Sequence, residues 1–215
     1  LGPGFTWRTP ADDAASLFFI TNPNAPTSLM HDKASVSAFC RTFRGVVMID
    51  EAYGDFADDT CMDLALAADN ANTLVMRTLS KSFSLAGLRF GYVIGPSALI
   101  GALYKIKDSY NMDMLAQLLG LAALNDLPHM QENVRRIRAT RARLTAELRQ
   151  RGWTVCDSQT NFLFARPPDG DAARLFDEGY DAYAAKDWPK AEGLFERAFA
   201  VKPTYDTAAP AMMAS

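Results

Sequence analysis

Apolar and polar positions along the chain fall into short blocks with different spacing. The run SLFFIT at 16–21 is apolar and ends in NPNAPTS, a stretch dense in turn formers, so the pair predicts a buried strand and then a loop. From about Asp32 to Phe43 the spacing becomes helical, with Val36, Phe39, Cys40 and Phe43 on one face. GVVMIDEAY predicts the next buried strand, with acidic residues at its C-terminal end. NTLVMRTLS and RFGYVIG predict two further strands, separated by the loop that holds Lys81. Strands alternating with helical connections predict an α/β layer on a parallel sheet, where ligands sit beyond the carboxyl ends of the strands. Asn24, Asp50 and Lys81 all fall at or just after strand ends, which makes them one place rather than three.

Helices are predicted over Ser97 to Lys107 and, after the break DSYN, over 112–126, with Pro128 marking the next boundary. ENVRRIRATRARLTAELRQRG predicts a long helix whose Val134, Ile137, Leu144 and Leu148 form an apolar stripe. WTVCDSQTNFLFAR returns to strand character in a second, smaller domain, and RPPDGD is a linker or turn. Beyond it, Gly179, Ala191, Phe195, Ala198 and Pro203 stand at offsets that resemble one tetratricopeptide repeat, with Trp188 and Pro189 at the turn between two helices. TAAPAMMAS reads as a frayed tail.

Composition narrows the function classes. With 49% apolar and 22% charged residues the chain can build an ordinary soluble core. A net charge of -3 opposes nucleic acid and anionic membranes as general partners, so the seven arginines of the long helix read as a solvated face. No apolar run reaches the length of a membrane span, and the start LGPGFTWRTPADD lacks the order of a secretion signal. Cys40, Cys61 and Cys156 are odd in number and unpaired by motif, which suits a reducing cytoplasm. His31 and His129 have no ligand-like neighbours, so no metal is expected.

The candidate chemistry centres on TLSKSFSLAGLRFGY at 78–92. A lysine that bonds a carbonyl compound needs an amine able to lose its proton. A phosphate-bearing cofactor needs hydroxyl and guanidinium donors, and Thr78, Ser80 and Arg89 supply them. A pyridinium nitrogen needs a carboxylate, and Asp50 stands at a strand end; Tyr53 and an asparagine of NPNAP could donate to a phenolic oxygen. Taken singly, Asp50 could cap a loop, Tyr53 could be a core aromatic and Arg89 could pair with a surface acid.

The three motifs NPNAPTS, IDEAYGDF and RTLSKSFSLAGLRFGY, in this order, resemble the pyridoxal-phosphate aminotransferases of fold type I. KDSYNMDMLAQ and TNFLFARP bring the resemblance closest to the histidinol-phosphate aminotransferase subgroup, and it covers about residues 1 to 176. The resemblance implies that Lys81 bonds pyridoxal 5'-phosphate and shuttles the proton of transamination. It implies that Asp50 pairs with the pyridine nitrogen, that Tyr53 bonds the phenolic oxygen, and that Thr78, Ser80 and Arg89 hold the phosphate. Where the family pattern has asparagine before Pro-Thr-Gly this chain has Ala25, and the glycine is Ser28; Asn24 is the first remaining donor and Asn22 the second. The implied partners are a small-molecule amino donor and a 2-oxo acid, with a homodimer as the assembly.

The expected architecture is α/β. A partial large domain of a fold type I enzyme, mostly parallel sheet with flanking helices, occupies 1–110. Long helices and a partial small domain occupy 111–168, a tetratricopeptide-like hairpin 169–209, and a tail 210–215. Against the family pattern, the N-terminal arm, a phosphate loop, a ring-stacking aromatic and the arginine that clamps the substrate carboxylate find no match. The expectation is therefore an aminotransferase middle joined to a helical repeat. Each lost charge-assisted contact costs about 1.5–3 kcal/mol, so this chain is expected to be a poor enzyme. The alternatives are decarboxylation of a phosphorylated amino acid on the same scaffold, a non-catalytic module that docks a protein partner through 172–208, and a recombined C-terminal segment without a role.

Overall fold

Most apolar blocks form an element where their spacing predicts one, and the pairing of the strands then sets the positions of the loops. The computed structural model describes residues 14–168 together with Phe5, Trp7, Asp187, Pro189, Lys190 and Gly193. Strands β1 (Leu17–Thr21), β2 (Val46–Asp50) and β3 (Thr73–Thr78) lie side by side in parallel. Strand β4 (Gly91–Ile94) closes the order β1-β2-β3-β4 and runs antiparallel to β3. A parallel return needs a crossover, usually a helix. The loop at 79–90 holds only a short 3-10 turn at Ala86–Leu88, and the Leu79 N–H donates across it to the Phe90 carbonyl at 3.0 Å, so the chain doubles back.

Helix α1 (Lys33–Thr42) connects β1 to β2. Asp32 caps it by accepting from the Ser35 N–H at 2.8 Å, and its inner face buries Val36, Phe39 and Cys40. These side chains meet Ile20, Val47, Ile49 and Val75 from the sheet in one core. Phe39 stacks on Phe43 with centroids 5.2 Å apart and meets the edge of Phe18 at 4.9 Å. The Asn72 amide donates to the carbonyls of Cys40, Phe43 and Gly45, pinning the end of α1 to the start of β2. The connection from β2 to β3 is not helical as the alternating pattern predicts. It is a chain of 3-10 turns at Gly54–Phe56, Leu64–Leu66 and Ala68–Asn70, which bury Phe56, Leu64, Ala65 and Asn70.

Helices α2 (Ser97–Ile106), α3 (Met114–Asn125) and α4 (Leu127–Gln150) follow. Pro128 stands in the first turn of α4, where its missing N–H costs nothing. Helix α3 is apolar all round, yet among the described residues only Ala116 and Gly120 are buried, and Leu118 is 57% exposed. Gly120 is required where α3 crosses the lysine loop, because a Cβ there would stand 3.0 Å from the Phe90 ring.

The chain divides into two units, Leu1–Ala146 with Cys156–Phe164, and Glu147–Val155 with Ala165–Ser215. In the second, β5 (Thr154–Val155) pairs antiparallel with β6 (Ala165–Arg166), and Arg149 donates to the Val155 carbonyl at 2.7 Å. The sequence predicts strand character throughout 153–166, but 156–164 is a loop of the first unit. Its hydroxyls take the backbone away from a ladder: Ser158 Oγ donates to the Phe162 carbonyl at 2.6 Å, and Thr160 Oγ1 accepts from the Phe162 N–H at 3.3 Å. The stretch compared with a tetratricopeptide repeat lies outside the described residues, apart from Asp187, Pro189, Lys190 and Gly193. No helix among the described residues is long and apolar enough to cross a membrane.

His31 gives this unit a pH dependence. Its ring is half-buried beside Trp7, with centroids 6.0 Å apart, and burial holds the imidazole below its ordinary value of 6.5. The stability this contributes is complete above 6.5 and is lost as pH falls through 6.5 toward the lower folded value, because the unfolded ring takes up its proton first. His31→Gln should therefore flatten the change in urea midpoint between pH ~7.5 and ~5.5 relative to the parent chain.

Candidate active site at the carboxyl ends of the strands

Register places the site. Thr21 stands opposite Asp50, and Asp50 opposite Met76, so the ends of β1, β2 and β3 form one row with strands about 4.8 Å apart. The loops NPNAPTS, EAYGDF and LSKSF leave from that row. Asp50 Oδ1 accepts from the Ala52 N–H at 2.9 Å, and no other donor among the described residues reaches this carboxylate. Lys81 is partly buried, and its Nζ lies 5.0 Å from the centroid of the Tyr53 ring. The Tyr53 ring is itself steadied by the edge of Phe162, 5.2 Å away at 82°. Thr78 and Ser80 hydroxyls are 2.9 Å apart, and Thr78 Oγ1 also lies 3.1 Å from the Phe90 carbonyl. With Thr78 donating to Ser80, the Ser80 proton remains available to an anion.

Two expected donors are used differently. Arg89 sits at φ 53° after the 3-10 turn, and its Nη1 donates to the Ala86 carbonyl at 3.0 Å, so the guanidinium is exposed and folded onto its own turn. Its backbone neighbour Phe90 is the residue that Thr78 contacts, which keeps Arg89 close to the hydroxyl pair along the chain. Asn24 spends its amide inside the loop, with Nδ2 donating to Thr21 Oγ1 at 2.7 Å and Oδ1 accepting from Thr27 Oγ1 at 2.7 Å. Asn22 is buried, accepts from the His31 N–H at 2.7 Å, and lies 3.5 Å from Cys61 Sγ. Both asparagines hold the loop's shape.

The sequence reading missed a buried ionic cluster on the other side of the strand ends. Arg77 Nη2 lies 2.7 Å and Nε 2.9 Å from Glu51 Oε2, and Nη1 lies 2.6 Å from Asp55 Oδ1. Thr60 Oγ1 bridges Arg77 and Glu51 at 2.9 and 2.8 Å, the Cys61 N–H donates to Glu51, and the Ser82 hydroxyl donates to Asp55. Gly54 is needed here, since a Cβ would meet the guanidinium carbon at 2.9 Å. The signal that could have exposed the cluster is an arginine inside the apolar run LVMRT and a glutamate closing VMIDE, because buried charges must pair. Next to it, burial and the Glu51 charge push the Cys61 thiol up to about 12, so it stays neutral and is no nucleophile.

The segment 156–164 is the other missed contributor. Besides supplying Phe162, it bonds the first loop through Gln159 N–H to the Ser28 carbonyl at 2.8 Å. Arg141 of α4 donates to the carbonyls of Phe56 and Thr160 at 3.0 and 2.8 Å, tying both loops to one helix.

Comparison with known proteins gives a consistent answer. A family model described as aminotransferase class I and II matches residues 8–199, which takes in much of the stretch likened to a tetratricopeptide repeat. Histidinol-phosphate aminotransferase of Citrifermentans bemidjiense is 48% identical over 165 residues, covering 77% of this chain and 47% of that protein. Its counterpart in Geobacter sulfurreducens is 44% identical over 164 residues, 76% of this chain and 46% of that protein. The crystal structure of histidinol-phosphate aminotransferase from Sinorhizobium meliloti in complex with pyridoxal-5'-phosphate matches with a TM-score of 0.68 and 26% identity, over 78% of this chain and 46% of that one. The chain spans about half the length of the curated relatives it matches.

Two substitutions should move stability in opposite directions. Arg77→Met leaves Glu51, whose side chain is 0% exposed, without its cation, and should lower the unfolding free energy by about 3–5 kcal/mol in a denaturant titration. Ser28 is fully buried at φ 63° with a hydroxyl that has no partner among the described residues. Ser28→Gly relieves both and should raise stability by about 1 kcal/mol, read as a higher midpoint at unchanged slope.

Proposed function

Because the chain belongs to the class I and II aminotransferase family, we propose that it carries the cofactor site of an enzyme that moves an amino group from histidinol phosphate to 2-oxoglutarate. What supports this donor is the 48% identity to a histidinol-phosphate aminotransferase. The observation that carries the site is the Lys81 amine 5.0 Å over the Tyr53 ring, on a loop that leaves the same row of strand ends as Asp50, whose carboxylate keeps an open oxygen. In this reading the cofactor is pyridoxal 5'-phosphate, and the donor set suits it. Asp50 offers the anion a protonated ring nitrogen requires, Tyr53 offers a phenol, and Ser80 and Thr78 offer hydroxyls to a phosphate, with Arg89 close along the chain. Asn24 enters only through the loop it ties.

When bound, pyridoxal phosphate supplies an electron sink for the carbon that bears the amino group. The chain's own residues then divide the work. Lys81 carries the covalent attachment and, once released from it, can take a proton and return it at Nζ. Asp50 would hold the charge of a protonated ring nitrogen, and Tyr53, whose face carries the lysine, would donate to the ring oxygen. A second copy of the chain is the proposed partner, as the family resemblance implies.

Treating the full chain with pyridoxal phosphate and then borohydride should add one pyridoxyl group, at Lys81, read by peptide mass. Lys81→Ala should lose the label. Asp50→Asn should need about 10–100-fold more pyridoxal phosphate for the same labelling, the worth of one charge-assisted contact. Label spread equally over Lys81 and the exposed Lys105 would overturn the reading.

A further inference from the structure

The ionic cluster bonds no position assigned to the cofactor, yet four of its members stand within two residues of one. Glu51 follows Asp50, Arg77 precedes Thr78, Ser82 follows Lys81, and Asp55 stands two residues after Tyr53. Successive residues of a strand point to opposite faces. Asp50 and Thr78 therefore face one side of the strand ends while Glu51 and Arg77 face the other, where they bond each other at 2.7 Å.

We propose that Ser82, Asp55 and Arg77 form a positioning brace that sets the Lys81 amine over Tyr53, a reading that rests on Lys81 as the cofactor lysine. The connection is short and continuous. The Ser82 hydroxyl donates to Asp55 Oδ2, Asp55 Oδ1 bonds Arg77 Nη1 at 2.6 Å, and Arg77 is anchored by Glu51 and Thr60. One link thus joins the segment bearing the lysine to the segment bearing the tyrosine, one residue from the first and two from the second. Lys81 itself makes no ion pair among the described residues, so nothing on its own side chain fixes it except the ring face. Ser82 is 3% exposed, Arg77 8% and the Asp55 side chain 25%, so the link is largely shielded from water. Gly54, whose Cβ would strike the guanidinium, keeps the path between Tyr53 and Asp55 open for the arginine. The brace acts through Lys81 and touches no substrate; its members are positioning residues.

The test measures the lysine itself, with and without the cofactor. In the cofactor-free full chain, a pulse of acetic anhydride followed by peptide mass gives the acylation rate of Lys81 relative to Lys105. Ser82→Ala should raise that ratio about threefold or more, because the amine leaves its shielded place over the ring, while the melting temperature and circular dichroism stay those of the parent. The same variant should slow borohydride-fixed labelling of Lys81 by pyridoxal phosphate about tenfold or more, the cost of a misplaced nucleophile. Asp55→Asn, which keeps an acceptor but breaks the charge link to Arg77, should move both readouts the same way, and decides the matter if Ser82→Ala does not fold. An unchanged acylation ratio in a folded variant overturns the brace whatever the labelling does. A raised ratio in a chain whose Lys81 never takes the label upholds the brace and sinks the cofactor reading instead.

Discussion

Strand β2 lies between β1 and β3 with both partners parallel, and this pairing determines everything that the loops can do. Three chain segments arrive at one row of strand ends within two strand spacings, and the residues that leave the row are the ones with chemistry. Alternation along the same strands then sorts the charges. Asp50 and Glu51 are neighbours in sequence but cannot share a side, so one is left to the open front and the other is enclosed with Arg77. A one-residue slip of β2 would exchange them, burying Asp50 and exposing Glu51. Burial of Val47 and Ile49 against α1 fixes the register that prevents this.

The parts legible in the sequence are those where local pattern and tertiary environment agree. Val36, Phe39 and Cys40 read as one face of a helix and are one, and SLFFIT, GVVMIDEAY and NTLVMRTLS form strands because their apolar runs are short and end in turn residues. The placement of Asp50 and of the lysine loop at the ends of strands was legible from the apolar runs alone. Three other features were not. The 3-10 chain between β2 and β3 lacks helical periodicity because its apolar residues fill gaps one at a time. The loop at 156–164 reads as a strand because hydroxyl-to-backbone bonds leave no mark in the hydrophobic pattern. The bonds that Asn24 makes to Thr21 and Thr27 leave no mark either, because its residue type suits a loop tie and a ligand contact alike.

Helix α3 carries a different lesson about apolar pattern. Its leucines face all directions, which encodes burial on every side. Among the described residues it is covered only along Ala116 and Gly120, where it rests on Phe90. Phe19 of β1 is likewise 58% exposed on the sheet face opposite α1. Composition thus reports how much apolar surface a fold must cover, while geometry reports which side of it the lysine loop already covers. The contact at Phe90 matters for the site, since the same residue's carbonyl meets Thr78 and receives the Leu79 N–H.

The division between filled and open valences explains why the two charged groups of the front can act and those of the back cannot. Arg77 has carboxylate or hydroxyl partners for Nε, Nη1 and Nη2, and Glu51 receives bonds on both oxygens, so neither has capacity for a ligand, and displacing either would leave a buried charge unpaired. Asp50 meets one backbone N–H, Lys81 meets only a ring face, and Ser80 retains a proton. Three half-buried polar groups with open valences thus lie at or just after one row of strand ends.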